Sequence, residues 1–380
     1  MHDIGDVLGM LDRDGALHLD DRDDYEPRRE QADADRAYPI DFDRLAPEPA
    51  DQPAEPPRGI ATPRDVVDRV LKGGSPFGPG NLPRPDVLAW YQPIHFYAYN
   101  WGIFIRQSAL VDLARDLAPR FNQLPDRRPD ESRVAAMLRA ALVYLFLHEQ
   151  YHHKVESLSV RLHVVERRPV YPNYKYKVAN VVAGSDGDLE EALANADAWH
   201  RLSEKPYSTW FEKDEHQVIK LWLKDLFSKS PPGYREAVKY LDRDRFDERE
   251  QVLCAQVQES LVRPLRGHTS EFGIATHLTH ALYNLKQNIW TLVPQGQTPI
   301  LPTLREVFPM ALELRELRRE LERSGFRLVA GAGKGSHIKY RAGDGRMIIL
   351  PDKREVSRVV AKNTAHTLNL SLRDLFRRAR

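Results

Sequence analysis

The run Ala141-Leu-Val-Tyr-Leu-Phe-Leu-His148-Glu149-Gln-Tyr-His152-His153-Lys-Val-Glu156 decides how this chain is read. Seven mostly apolar residues give way at once to ionisable ones. On a helix His148 and His152 lie one turn apart on one face, where both imidazoles can reach one metal ion. Glu149 sits beside them, placed to polarise water. The stripe Val134, Leu138, Ala141, Leu145 runs at helical spacing into the two histidines, so they belong to the buried face. Two imidazoles buried without partners would be costly, and a metal or a polar pocket would satisfy them. His153 and Glu156 follow Glu149 at four and seven residues and form a second polar stripe, either orienting the ligands or lying at a solvated edge.

The pattern is H-E-x-x-H, and in this setting the chain resembles the zinc metallopeptidases that carry it, the zincins. A hydrolytic zinc takes three protein ligands and keeps one position for water. The helix expected over Asp188 to His200, capped at Asp188 after the turn Gly184 to Gly187, is the best source of the third. Its Glu191-Ala-Leu-Ala-Asn195 resembles the E-x-x-A-N element of glutamate-liganded zincins, which implies Glu191 as the ligand, with Glu190 and His200 as alternatives. The resemblance implies Zn2+ as cofactor, Glu149 as catalytic base, and a protein or peptide substrate. A different reading pairs Glu149-x-x-His152 with Asp197-x-x-His200 as a di-iron element. A tyrosine of Pro169 to Tyr176 could bind the oxyanion, and His95 either lines the cleft or lies in the core.

Composition sets the frame. The chain has 380 residues, 42% hydrophobic and 29% charged, enough for two or three domains with a substantial core. One cysteine excludes a disulfide framework and a cysteine-based zinc site. No apolar run approaches the roughly 18 residues of a membrane span, and no secretory signal is visible, so a cytoplasmic protein is expected. Charge is unevenly spread: residues 1–60 hold 17 Asp/Glu and 7 Lys/Arg, whereas residues 312–380 hold 8 and 17. The basic end suits nucleic acid.

In order along the chain, residues 1–60 read as a disordered acidic tail, although Ile4, Val7, Leu8 and Leu11 could form a short docking helix. Residues 61–292 form the zincin-like domain, 293–302 a Pro/Gly/Gln linker, and 303–380 a small C-terminal unit. Helices are expected at Pro63 to Lys72, Ser108 to Phe121 and Glu131 to about Val165, with one or two buried strands between Leu88 and Ile105. The C-terminal unit reads as helix, three antiparallel strands and helix. Its Ser324-Gly-Phe-Arg-Leu-Val329, Gly335-Ser336-His337, Asp344-Gly345, Leu350-Pro351 and Leu368-Asn-Leu370-Ser-Leu372 resemble the HicA toxins, small ribonucleases with a double-stranded-RNA-binding-like fold. The family's Gly-Thr before the last helix is replaced here by Ser357-Arg-Val-Val. The resemblance implies His337 as catalytic and RNA and an antitoxin as partners; Lys334, Ser336, Lys339, Arg341 and Arg346 could hold phosphate.

The expected fold class is therefore α+β, mainly α. The expected function is a zinc peptidase fused to a HicA-like ribonuclease module, as in a toxin or a stress- or phage-response protein. Two alternatives stand beside it: a ribonuclease toxin whose H-E-x-x-H domain is a scaffold or sensor, and an RNA- and protein-binding adaptor without chemistry.

Overall fold

The computed structural model describes residues 35–46, 59–77, 85–97, 101–125, 128–259, 288–304, 311–329, 337–351 and 355–370, together with single residues at 8, 10, 11, 13, 278, 285, 375, 378 and 379. Within these the fold is α+β and mainly helical. No helix among them is long and apolar enough to cross a membrane.

The elements, in chain order, are β1 (Asp35–Pro39), α1 (Arg64–Lys72), β2 (Ala89–Gln92), α2 (Ile94–Tyr97), β3 (Gly102–Arg106), α3 (Gln107–Phe121), α4 (Asp130–Glu166), α5 (Val170–Tyr174), α6 (Leu189–Arg201), α7 (Lys213–Lys229), α8 (Arg243–Glu259) and β4 (Ile289–Pro294). The C-terminal unit adds β5 (Ala311–Glu313), α9 (Leu314–Arg323), β6 (Phe326–Leu328), β7 (His337–Ala342), β8 (Met347–Pro351), β9 (Glu355–Ser357) and α10 (Arg358–Thr367).

Helix α4 is the axis of the larger unit. It is apolar on nearly every side through its middle: Val134, Leu138, Ala141, Leu145 and Leu147 are all fully buried. A helix hydrophobic all round needs neighbours all round. Helices α1, α3, α6 and α8 and strands β2 and β3 supply them.

The sheet beside it has the order β1-β4-β3-β2, with β4 parallel to β3 and antiparallel to β1. Alternation along each strand divides the side chains between two cores. Tyr91, Ile103, Ile105 and Ile289 face the helices, while Ala37, Trp90, Phe104, Trp290 and Leu292 face the C-terminal unit. On that second face Phe104 stacks between Trp90 and Trp290, at centroid distances of 5.7 and 6.4 Å.

Two boundaries differ from the sequence reading. Strand β1 lies inside the stretch expected as a disordered tail, and Leu8, Leu11, Ile40, Phe42 and Leu45 are buried. Few apolar residues occur there, but these five enter the core, which an average over the acidic segment conceals. The expected linker 293–302 is tied down as well. Val293 and Pro294 complete β4, Ile300 donates its N–H to Gln107 Oε1 at 2.8 Å and accepts from Ala61 N at 2.7 Å, and Ile300 and Leu301 are buried.

The C-terminal unit has the expected helix, three-stranded antiparallel meander β6-β7-β8 and helix, with a short β5–β9 pair added. Leu317, Leu321, Phe326, Tyr340, Ile348 and Leu350 form its inner face and merge with the tryptophan face of the larger sheet.

Candidate metal centre

Helices α4 and α6 bring three ligand atoms together. His148 Nε2 lies 3.2 Å from Glu191 Oε2, His152 Nε2 lies 3.5 Å from the same oxygen, and the two imidazole nitrogens are 3.4 Å apart. Metal–ligand bonds of about 2.0–2.1 Å at tetrahedral angles require ligand atoms about 3.3–3.4 Å apart, so this triangle has the size of one face of such a site. Among the described residues this is the group of His, Cys, Asp and Glu that could hold a metal ion.

The choice between Glu190 and Glu191 follows from the geometry. Glu190 lies on the far side of the His152 ring. Its Oε1 accepts from His152 Nδ1 at 2.7 Å, its Oε2 accepts from Tyr174 O–H at 2.8 Å, and Lys175 Nζ lies 3.2 Å away. A proton on Nδ1 leaves Nε2 with a lone pair, the tautomer a metal needs. Glu190 thus fixes the His152 ring from behind, while Glu191 supplies an atom to the triangle. Consecutive side chains lie about 100° apart around a helix, so the two adjacent acids point to different sides of the His152 ring.

Electrostatics at the triangle favour a cation. Burial is the largest effect on His152 and would push its pKa down, but the Glu191 and Glu190 carboxylates outweigh it and hold it well above the usual imidazole value. Burial would likewise raise Glu191, yet His152 and His148 hold it well below the usual carboxylate range. For Glu190 burial is again outweighed, here by Lys175 and His152, and its pKa falls to about 2. Asp188, at the start of α6, is pushed up to about 7 by burial and by the Glu191 and Glu190 charges.

Glu149 is 2% exposed, next to His148 on α4. The buried Tyr144 phenol is pushed above its normal range first by burial, then by the Glu149 and Glu191 charges, so both carboxylates act on one neighbourhood. Tyr144 O–H donates to Asn195 Oδ1 at 3.1 Å, and Asn195 Nδ2 donates to the Tyr234 carbonyl. This brace joins α4 to α6 one turn from the His148–Glu191 pair. Tyr234 packs its ring on His148 with centroids 6.1 Å apart. Gly233 before it has φ +86°, and a Cβ there would meet Asp188 Cβ at 2.9 Å and Ser185 O at 3.0 Å. Glycine is the residue that fits this approach.

Other expected roles fall away. Asp197 is paired with Lys154 Nζ at 3.0 Å and His200 donates to the Tyr240 carbonyl at 3.1 Å, and neither is part of the triangle. Within Pro169 to Tyr176, Tyr174 is committed to Glu190. His95 is a core residue, fully buried and bonded to Glu156. The stripe of His153 and Glu156 is buried, not solvated.

The basic positions of the C-terminal unit separate into two groups. Lys334 and Ser336 lie outside the described residues, and His337 opens β7 as expected. Lys339 and Arg341 lie on the outer face of the sheet, where register sets Arg341 opposite Arg327 and Met347 and sets Lys339 opposite Ile349. Arg346 is instead bound to Asp344 at 2.7 Å and to the Thr367 carbonyl at 2.5 Å. The sequence reading missed Glu190, Tyr144 and Tyr234 as supports. Tyr144 could have been found four residues before His148; Tyr234 gave no signal, because only the tertiary fold brings it near.

Compared with known proteins, the chain matches no family model, no curated protein and no solved structure.

Proposed function

We propose that the larger unit is a zinc-dependent peptidase with His148, His152 and Glu191 as ligands and Glu149 as general base. The observation that carries this reading is the triangle of 3.2, 3.4 and 3.5 Å edges between the three ligand atoms. When bound, zinc supplies Lewis acidity, polarising a substrate carbonyl and making water acidic near neutral pH. Glu149 takes a proton from the attacking water and returns it to the departing amine. Glu190, Tyr174 and Lys175 keep His152 in its tautomer. Asn195 and Tyr144 hold the two helices in register.

Metal content of the purified chain, measured by plasma mass spectrometry beside His148→Ala and Glu191→Ala, tests the ligand set. About one zinc per wild-type chain, lost from both variants, is the expected result. Glu149→Gln should keep the metal and lose cleavage of a peptide library. A wild-type chain that takes up no zinc on titration ends the peptidase reading.

A second activity is proposed for the C-terminal unit, directed at RNA. What supports it is the outer sheet face, where Arg327, Lys339 and Arg341 adjoin the half-exposed apolar side chains of Met347 and Ile349. Cations meet phosphate and apolar groups meet bases on such a face. In this reading His337 is the acid/base residue, and His337→Ala abolishes RNA cleavage without touching peptide cleavage. Toxicity that survives both Glu149→Gln and His337→Ala would favour the adaptor reading.

A further inference from the structure

Helix α4 carries a second buried polar centre, one turn beyond His152. The Glu156 side chain is fully buried, and four donors converge on its carboxylate. Oε1 accepts from His95 Nδ1 at 2.6 Å and from His95 N at 2.9 Å; Oε2 accepts from Ile94 N at 3.0 Å and from Tyr91 O–H. The Tyr91 oxygen also lies 2.6 Å from His153 Nδ1. Tyr91 has one proton and gives it to Glu156, so His153 Nδ1–H donates to the phenol oxygen. Trp101 stacks flat on the His153 ring at 5.1 Å.

None of these groups belongs to the triangle of His148, His152 and Glu191, yet they hold the turn that bears His152 and His153 against the corner between β2 and α2. A buried carboxylate with every lone pair engaged resists displacement, because moving it strands a charge in the core. Glu190 grips the same turn from α6, through the His152 ring. The turn is therefore held by two carboxylates on different sides.

We propose that Glu156 is a positioning residue for the metal centre, fixing the rotation of α4 so that His148 and His152 meet Glu191. The inference rests on the metal reading above. Side-chain tips lie roughly 6 Å from a helix axis, so a rotation of 10° moves an imidazole nitrogen by about 1 Å. Metal–ligand distances tolerate about 0.2 Å. A helix released at Glu156 would thus misplace its ligands without unfolding.

The test compares zinc affinity, by chelator competition, and the visible absorption of the cobalt-substituted chain in wild type, Glu156→Gln, Tyr91→Phe and Leu117→Ala. Leu117 is buried on α3 and takes no part in the hydrogen bonds to Glu156, and its truncation serves as a stability control. The expected result is about a tenfold weaker zinc affinity and an altered cobalt spectrum in Glu156→Gln, and a smaller loss in Tyr91→Phe, which keeps the ring. Leu117→Ala should melt lower but bind as wild type does. Wild-type affinity and spectrum in Tyr91→Phe and in a folded Glu156→Gln overturn the inference and leave the metal reading intact. Failure of the wild-type chain to bind zinc overturns both.

Discussion

Replacing Glu190 by Gln tests the proposed assignment of Glu190 as orienting acid and Glu191 as ligand. Glu190 is 3% exposed and serves His152 Nδ1, Tyr174 O–H and Lys175 Nζ together. Glutamine keeps the shape and one acceptor but turns an amide toward donors. Second-layer partners of this kind change metal affinity about 10- to 100-fold, or about 1.4–2.7 kcal/mol. Stability without metal should fall by about 2 kcal/mol, less than the 3–5 of a fully buried broken pair, because the partly exposed Lys175 can turn toward water. Chelator competition should find one zinc per chain in Glu190→Gln at 10- to 100-fold weaker affinity. Glu191→Gln, which removes one of the three proposed ligands, should lose stoichiometric uptake. The reverse pattern, with Glu190→Gln empty and Glu191→Gln loaded, would refute the assignment. So would an unchanged affinity in Glu190→Gln.

Gly233→Ala should destabilise the fold by about 2 kcal/mol or more, read as a shift in urea midpoint, since φ +86° and contacts near 3 Å leave no room for a methyl group. The Glu156 carboxyl, which burial alone would raise, is held below its ordinary 4.5 by hydrogen bonds from His95 and Tyr91. A depressed folded pKa contributes stability above the unfolded value and loses it as pH falls through the folded one. The urea-midpoint gap between wild type and Glu156→Gln should therefore be wide at pH 7 and narrow once pH falls below 4.5 and through the folded value. On the C-terminal face, Arg341→Glu should weaken RNA retention for all sequences and lower the salt slope by about one or more, checked by filter binding across salt concentrations.

Much of the site could be read in the sequence because its information is local. His148, Glu149 and His152 lie within five residues, the stripe from Val134 to Leu145 sets their phase, and α4 runs from Asp130 to Glu166 almost as its periodicity required. Glu191 was reachable because the turn at Gly184 to Gly187 announces α6. The division of labour between Glu190 and Glu191 was not, since a helix shows its phase only against a neighbour. Long-range pairing was equally hidden: β1 meets β4 more than 250 residues later, with Tyr38 opposite Thr291, and no local pattern in either strand names its partner. The backbone of residues 293–302 looked like a linker because its prolines and glycine exclude helix, but Gln107 and Ala61 bind it from elements far away in sequence.

The sheet β1-β4-β3-β2 has no solvent side. Trp90, Phe104 and Trp290 on one surface are the floor of the C-terminal unit, while Ile103, Ile105 and Ile289 on the other are the wall behind α4. Severing the chain after residue 302 would leave three stacked aromatic rings facing water, a patch that invites aggregation. The two units share one structural wall, so heat should melt them in a single cooperative step, and an isolated C-terminal fragment would need a new cover for its own apolar face.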